Sequence, residues 1–396
     1  MPMFARLTQP RKAAARLLAL FSILWLAACQ PIVATGPVSD AQRVTPGAPV
    51  KVALLVPAGS SSQSDALLAS NLENAARLAI ADLGNVEIDM KVYPTAGDPA
   101  RAARAATTAV AEGAQIILGP LYAEAANAVG VAVADQGVNV LAFSNNPTIA
   151  GGNVFILGPT FSSAATRLVQ YGRANGIDRY VVAYGNDLQG VIGRDSIVNA
   201  VKSSGGAVAG TQAYELSQAG VQSAAPRVAE TVRGTGATGV FTTAGVNADL
   251  PILANALNKA GVTPQQARML GLTRWDAAPQ ALTLPGLQNG LFAVPDTART
   301  RAFEQRYSST YGAQPHPLAG LAYDGIAAIG ALAATGRADA LTRNALVTSQ
   351  GFKGTSGIFR LLSNGTNQRG LAVATIRNNQ VVILDPAPTS FRGAGL

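Results

Sequence analysis

Residues 50–83 read VKVALLVPAGSSSQSDALLASNLENAARLAIADL. Lys51-Val-Ala-Leu-Leu-Val-Pro57 is a short apolar run without alternation, as expected of a strand buried on both faces. A Gly/Ser loop follows, from Ala58 to Ser64. From Asp65 to Leu83, Leu68, Leu72, Ala75, Ala79 and Leu83 recur at helical spacing and share one face. A strand that runs through a loop into a helix is the first half of a βαβ unit, and the chain repeats it.

Val86–Tyr93, Gln115–Gly119 and Asn139–Phe143 read as further strands. Between them, Asp98-Pro99 marks an N-cap with proline at the first helical position, Gly113 closes that helix, and Glu124–Asp135 forms another. The rhythm restarts after Pro159. Helices near 162–174, 190–203, 221–233 and 249–259 alternate with strands at 180–184, 207–214, 240–243 and 268–271. Strand 290–294, helices 297–311 and 318–334, and a β-rich tail complete the body; in the tail, 357–362, 371–377 and 380–384 are strands, with a tight turn at Asn378-Asn379. Apolar strands in two such blocks predict an α/β chain of two doubly wound parallel-sheet lobes joined by a multi-strand hinge. The runs place lobe 1 at about 50–158 plus 291–345 and lobe 2 at about 159–290 plus 346–386, with a C-terminal tail at 387–396.

Ahead of this body stands MPMFARLTQPRKAAARLLALFSILWLAACQP, residues 1–31. Arg6, Arg11, Lys12 and Arg16 precede the apolar run Leu17–Ala28, in which only Ser22 is polar. That length suits an export signal; a membrane-spanning helix needs about 20 residues. Leu26-Ala27-Ala28-Cys29 resembles the lipobox of bacterial lipoproteins. The resemblance implies a signal peptide at 1–28, removal before Cys29, and acyl chains such as palmitate on that residue. Each buried CH₂ contributes roughly 0.8 kcal/mol, so several chains hold a protein firmly on a membrane. By the same resemblance Gln30 directs the protein to the outer membrane of a Gram-negative cell, facing the periplasm. Residues 29–49 are rich in Pro, Gly, Ser and Thr and read as a flexible tether.

Loss of residues 1–28 removes four basic residues from the formal +8 and leaves +4, so the pI of about 9.8 overstates the basicity of the processed chain. No Lys/Arg run or basic-aromatic stripe occurs, which argues against nucleic acid as a partner. Charged residues at 13% exclude a solvated disordered chain. Cys29 is the only cysteine, so an acylated chain has no internal disulfide.

Beyond the export signal, KVALLVPAGSSS (51–62), the Asn71/Asn74/Ala75 helix, IILGPLYAEAANAV (116–129), VNVLAFSNN (138–146) and VVAYGNDLQGVIGRDSIVNAV (181–201) resemble the type I periplasmic-binding, leucine-binding-protein-like family. So do LAYDGIAAIGALA (321–333) and FKGTSGIFRLLSNGTNQRGLAVATI (352–376). The likeness spans about 50–386. The lipoprotein context and the Gly119-Pro120 loop look most like the penicillin-binding-protein activators, the LpoA-like proteins. That resemblance implies a non-enzymatic partner-binding protein acting on a peptidoglycan synthase. The alternative is the substrate-binding protein of an ABC importer for branched-chain or other amino acids. Amino-acid-binding relatives hold a ligand carboxylate with a Ser/Thr-rich loop after the third strand. Here that loop is Gly119-Pro-Leu-Tyr-Ala-Glu124, with no hydroxyl but Tyr122 and with Glu124 to repel an anion.

Ligands of doubly wound sheets sit beyond the carboxyl ends of strands, here in the cleft between lobes. Candidate lining residues are Ser144, Asn145 and Asn146 after one strand, Tyr184 and Asp187 after another, and Thr243, with Tyr122 and Trp275 as stacking surfaces. Gly234-Thr-Gly-Ala-Thr-Gly239 matches a dinucleotide fingerprint, but a helix precedes it and a strand follows, the reverse of the order that site needs. His316, the only histidine, lies between prolines and shapes a loop. No catalytic residue, cofactor or metal site is expected, since zinc sites draw chiefly on His and Cys. Asn364-Gly-Thr366 reads as a turn, and Asp324 as a hydrogen-bonding residue near the hinge.

Radiolabelled palmitate should enter the wild-type protein in cells and be absent from Cys29→Ala, and globomycin should cause the uncleaved precursor to accumulate. Labelling that survives the substitution would remove the anchor.

Overall fold

The computed structural model describes residues 40–391. The signal peptide, Cys29, Gln30, the tether up to residue 39 and residues 392–396 lie outside them. No helix among the described residues is long and apolar enough to cross a membrane.

Residues 50–156 alternate between strands and helices. They form β1 (Val50–Val56), α1 (Gln63–Asp82), β2 (Ile88–Pro94), α2 (Pro99–Ala111), β3 (Ile116–Leu118), α3 (Ala123–Ala132), β4 (Asn139–Ala142) and β5 (Val154–Ile156). The strands make one parallel sheet in the order β2-β1-β3-β4-β5. The helix ends follow the sequence signals: the Ser62 side chain accepts from the Asp65 N–H at the start of α1, and Asp98 does the same for Arg101 ahead of Pro99 in α2.

The second block contains α4 (Phe161–Ala174), β6 (Arg179–Gly185), α5 (Leu188–Ser203), β7 (Ala207–Tyr214) and α6 (Gln218–Thr235). It continues with β8 (Gly239–Thr242), α7 (Leu250–Lys259), β9 (Arg268–Gly271) and β10 (Leu291–Val294). In this sheet β7-β6-β8-β9-β10 repeat the winding of the first, so both reverse strand order beside their first strand. The chain then returns through α8 (Thr297–Tyr311), α9 (Gly320–Ala333) and α10 (Arg343–Leu346). Next come β11 (Phe352–Gly354), β12 (Gly357–Leu361) and β13 (Asn367–Arg369), a small antiparallel sheet. Finally β14 (Ala372–Arg377) and β15 (Gln380–Asp385) join β10 antiparallel, linked by Asn378 and Asn379 at positive φ.

Each sheet is covered on both faces, which is why its strands are apolar throughout. In the first lobe one core joins α1, α8 and α9 to the sheet and the other joins α2 and α3. In the second, α6 and α7 cover one face, and α4 and α5 the other. Two assignments from the sequence change. Leu291–Val294, placed there with the first lobe, pairs with β9 and β14 in the second sheet. Residues 352–361, placed with the second, bury Phe352, Phe359 and Leu361 in the core of the first. Both shifts have one cause: an apolar run can complete either sheet, and long-range pairing decides which. Three short stretches, β5, β11 and β13, carry too few residues for a periodic signal.

The chain crosses between lobes at 157–160, 295–296 and 370–371. Around these crossings Asp324 of α9 is 1% exposed and Arg369 at the end of β13 is 7% exposed. Arg369 Nη1 donates to Asp324 Oδ2 at 3.0 Å and to Ser356 Oγ at 3.0 Å, and Nη2 donates to the Leu157 carbonyl at 2.6 Å. Asp324 Oδ1 accepts from the Thr355 N–H at 2.7 Å. Asn367 Nδ2 donates to the carbonyls of Ile156 and Gly158. The structural role read for Asp324 stands.

Asp324→Ala strands a buried guanidinium, so it should lower the unfolding free energy by about 3–5 kcal/mol in urea titrations. A loss below about 1 kcal/mol would mean the pair is not a structural keystone.

Candidate functional site

Because both sheets reverse order beside their first strand, the loops after β1 and β3 and those after β6 and β8 flank the interlobe cleft. The loop after β3 turns at Gly119, with φ of 90°; a Cβ there would lie 2.2 Å from the Leu55 carbonyl oxygen. Only glycine allows this close passage beside the end of β1. The Gly119-Pro120 peptide is cis, and Pro120 accepts from the Phe143 N–H, tying the loop to the end of β4.

Tyr122 is 38% exposed, and its hydroxyl donates to Asp65 Oδ1 at 2.6 Å. The carboxylate acceptor, with partial burial, pushes the phenol up to about 12. Tyr122 opens α3 without a side-chain cap, and Glu124 stands in the first turn, where its charge meets the helix dipole. Ser144 is 6% exposed, and its Oγ accepts from the Asn146 N–H. Asn146 in turn accepts from the N–H and hydroxyl of Thr148. Ser144 Oγ and Asn146 Oδ1 are thus used within their own loop. Asn145 is exposed, and it lines a polar cavity of about 320 Å³ with Asn146, Phe161, Gln189 and Asn199.

On the second lobe, Arg194 Nη1 donates to the Tyr184 hydroxyl at 3.2 Å, with the guanidinium 5.0 Å from the ring centroid. The same guanidinium donates from Nε and Nη2 to Asp195. Asp187 caps α5 through the Gly190 N–H, and Thr243 Oγ1 accepts from the Gly185 N–H. Trp275 is a correction. It is fully buried, it stacks on Phe292 at 5.3 Å between centroids, and a Cβ on Gly271 would overlap its indole. It belongs to the core of the second lobe and offers no ligand surface.

The structure therefore keeps Tyr122 in one lobe and Tyr184, Asp187 and Thr243 in the other, each bonded within its own lobe. Sequence reasoning missed their partners. Asp65 meets Tyr122 across 57 positions of sequence, and no local pattern reports such a pairing. Arg194, ten residues from Tyr184 on the next helix, was legible only as an ordinary helical cation. Also missed was a buried pair in which Tyr214 donates to Asp249 Oδ2 at 2.6 Å. His316 behaves as a loop residue: its N–H donates to Asn71, and Nδ1 accepts from the Leu318 N–H. Residues 234–239 run from the end of α6, through Gly236 at positive φ, into β8. Among the described residues no group of three or more His, Cys, Asp or Glu is placed to hold a metal. A cavity of about 970 Å³ lies along α1, α8 and α9 and includes none of the candidates.

A family model described as periplasmic binding protein matches residues 49–380. No curated protein matches the chain. Among solved structures, a protein described as a branched-chain amino acid ABC transporter from Rhodospirillum rubrum superposes with a TM-score of 0.69 at 16% identity, covering 85% of this chain and 100% of that one. A branched-chain amino acid ABC transporter periplasmic ligand-binding protein from Burkholderia xenovorans gives 0.61 at 17%, covering 85% and 96%. An ABC transporter substrate-binding protein from Desulfitobacterium hafniense in complex with Leu gives 0.58 at 16%, covering 85% and 100%. At these identities the likeness is one of fold.

A phenol whose pKa rises on folding favours the folded state below the unfolded value of about 10, and loses that contribution as pH climbs through the folded one. The difference between ultraviolet titrations of the wild type and Tyr122→Phe should therefore show one phenol ionising near 12. Ionisation near 10 would mean the Tyr122–Asp65 bond does not hold in solution.

Proposed function

The chain belongs to the periplasmic binding protein family, and we propose that it is the solute receptor of an ABC importer, closing on an amino acid or similar small zwitterion. The observation that carries this reading is the match over residues 49–380, supported by similar structures named for branched-chain amino acids or holding leucine. The charge of the two cleft walls agrees with it. The first lobe presents Asp65 and Glu124, which suit a ligand ammonium. The second presents Arg194, held beside Tyr184 and ion-paired with Asp195, a guanidinium that a ligand carboxylate would share with Asp195. The ligand is thus held the other way round from a mode in which hydroxyls after β3 take the carboxylate. Hinge closure around the ligand would bring the two walls together. No catalytic step is assigned to the site; its output is binding, on the periplasmic side, with the anchor at Cys29 as part of the proposal.

A second reading, an outer-membrane activator of a peptidoglycan synthase, is favoured by the Leu26–Cys29 box followed by Gln30 and by a 119–124 loop whose single hydroxyl is already bonded to Asp65. The comparisons support the receptor reading better.

A thermal-shift screen separates the two. Saturation at about 100 times Kd adds roughly 2.7 kcal/mol of stability, so one of the common amino acids should raise the melting temperature by several degrees, and Arg194→Ala should abolish the rise. No shift with any of them, together with co-purification of a cell-wall synthase, would favour the activator.

A further inference from the structure

The polar cavity of about 320 Å³ lies on the flank of the interlobe cleft and is built from both lobes. Asn145 and Asn146 come from the loop after β4, and Asn364 and Thr366 from the β12–β13 turn, all on the first-lobe side. Phe161 and Ser162 open α4, and Gln189, Ile192, Asp195, Ser196 and Asn199 follow one face of α5 in the second lobe. Its chemistry differs from that of the cleft walls. The lining contains no Lys, Arg or His to neutralise an anion, and its one carboxylate, Asp195, is already paired with Arg194. The amides of Asn145, Gln189 and Asn199 make no hydrogen bond to other described residues, and each offers donors and acceptors together. The Thr160 hydroxyl, which also lines the cavity, is buried without a hydrogen-bond partner among the described residues. The half-buried ring of Phe161 adds an apolar surface.

Free amides that both give and take hydrogen bonds, one aromatic ring and no unpaired charge match a neutral molecule carrying adjacent hydroxyls on an apolar frame. The volume corresponds to about ten waters at roughly 30 Å³ each, enough for a monosaccharide together with a few waters. We propose that this cavity is a second ligand site, separate from the cleft walls, that binds a neutral monosaccharide, with Phe161 against its C–H face and Gln189, Asn199 and Asn145 on its hydroxyls. Because the lining spans both lobes, an occupied cavity ties the first-lobe loops to α5 and biases the angle between lobes. The inference does not depend on which solute the cleft takes.

Saturation-transfer NMR on the purified full-length protein, with glucose, galactose, ribose and N-acetylglucosamine offered singly, tests it. At least one sugar should receive saturation, and Gln189→Leu and Asn199→Leu should each weaken it at least about tenfold, as expected when a hydrogen-bonded amide is removed. Both positions are exposed, so retention of the wild-type melting temperature will confirm that the variants fold. Phe161→Ala should weaken the same sugar. Saturation of none of the four, or binding unchanged in all three variants, would overturn the proposal.

Discussion

A buried charge pair on the first-lobe side anchors the segments through which the chain passes between lobes. Arg369 and Asp324 are both removed from water where the chain passes between sheets, and desolvation of such a pair costs several kcal/mol per ion before their attraction is counted. Further hydrogen bonds sustain the pair: Asp324 also takes the Thr355 N–H, and Arg369 also gives to Ser356 and to the Leu157 carbonyl, while its Nε is buried without a partner among the described residues. Leu157 lies in the first crossing and Ser356 accepts, through its carbonyl, from Asp296 in the second. One guanidinium therefore links the first crossing directly, and the second through Ser356, to Asp324 of the first lobe.

That constraint explains why polar residues at strand ends divide into two groups. Ser144, Asn146, Asp187 and Thr243 complete turns or helix starts beside the crossings and have little left for a ligand. Tyr122 and Tyr184 are held by a carboxylate and a guanidinium of their own lobes, so the cleft walls acquire opposite character from the partners rather than from the tyrosines. A phenol is neutral in both places; Asp65 supplies a carboxylate to one wall, and Arg194, itself paired with Asp195, a guanidinium to the other. The flank cavity is distinct because three of its amides, Asn145, Gln189 and Asn199, are not consumed in this way.

The architecture was largely legible in the chain. Continuous apolar strands alternating with one-sided helices require a sheet covered on both faces, and the cores on each side of both sheets meet that requirement. Caps were legible for the same local reason: Asp98-Pro99 and Asn378-Asn379 specify backbone geometry through their own atoms. The candidate site was legible only in part. Loops after strands could be named, but the burial of Trp275 against Phe292 and Gly271 could not, because an aromatic residue after a strand reads the same in a core as at a surface.

Periodicity, caps and the glycine at 119 act over a few residues, so the sequence alone determined the two-lobed parallel fold, its helix ends and the identity of the cleft-facing loops. Which sheet receives 291–294, where 352–361 is buried, and which partner holds Tyr122 or Arg369 were decided by tertiary structure. Those choices are made between groups tens to hundreds of residues apart. Their energies depend on distance and burial, which no stretch of chain carries by itself.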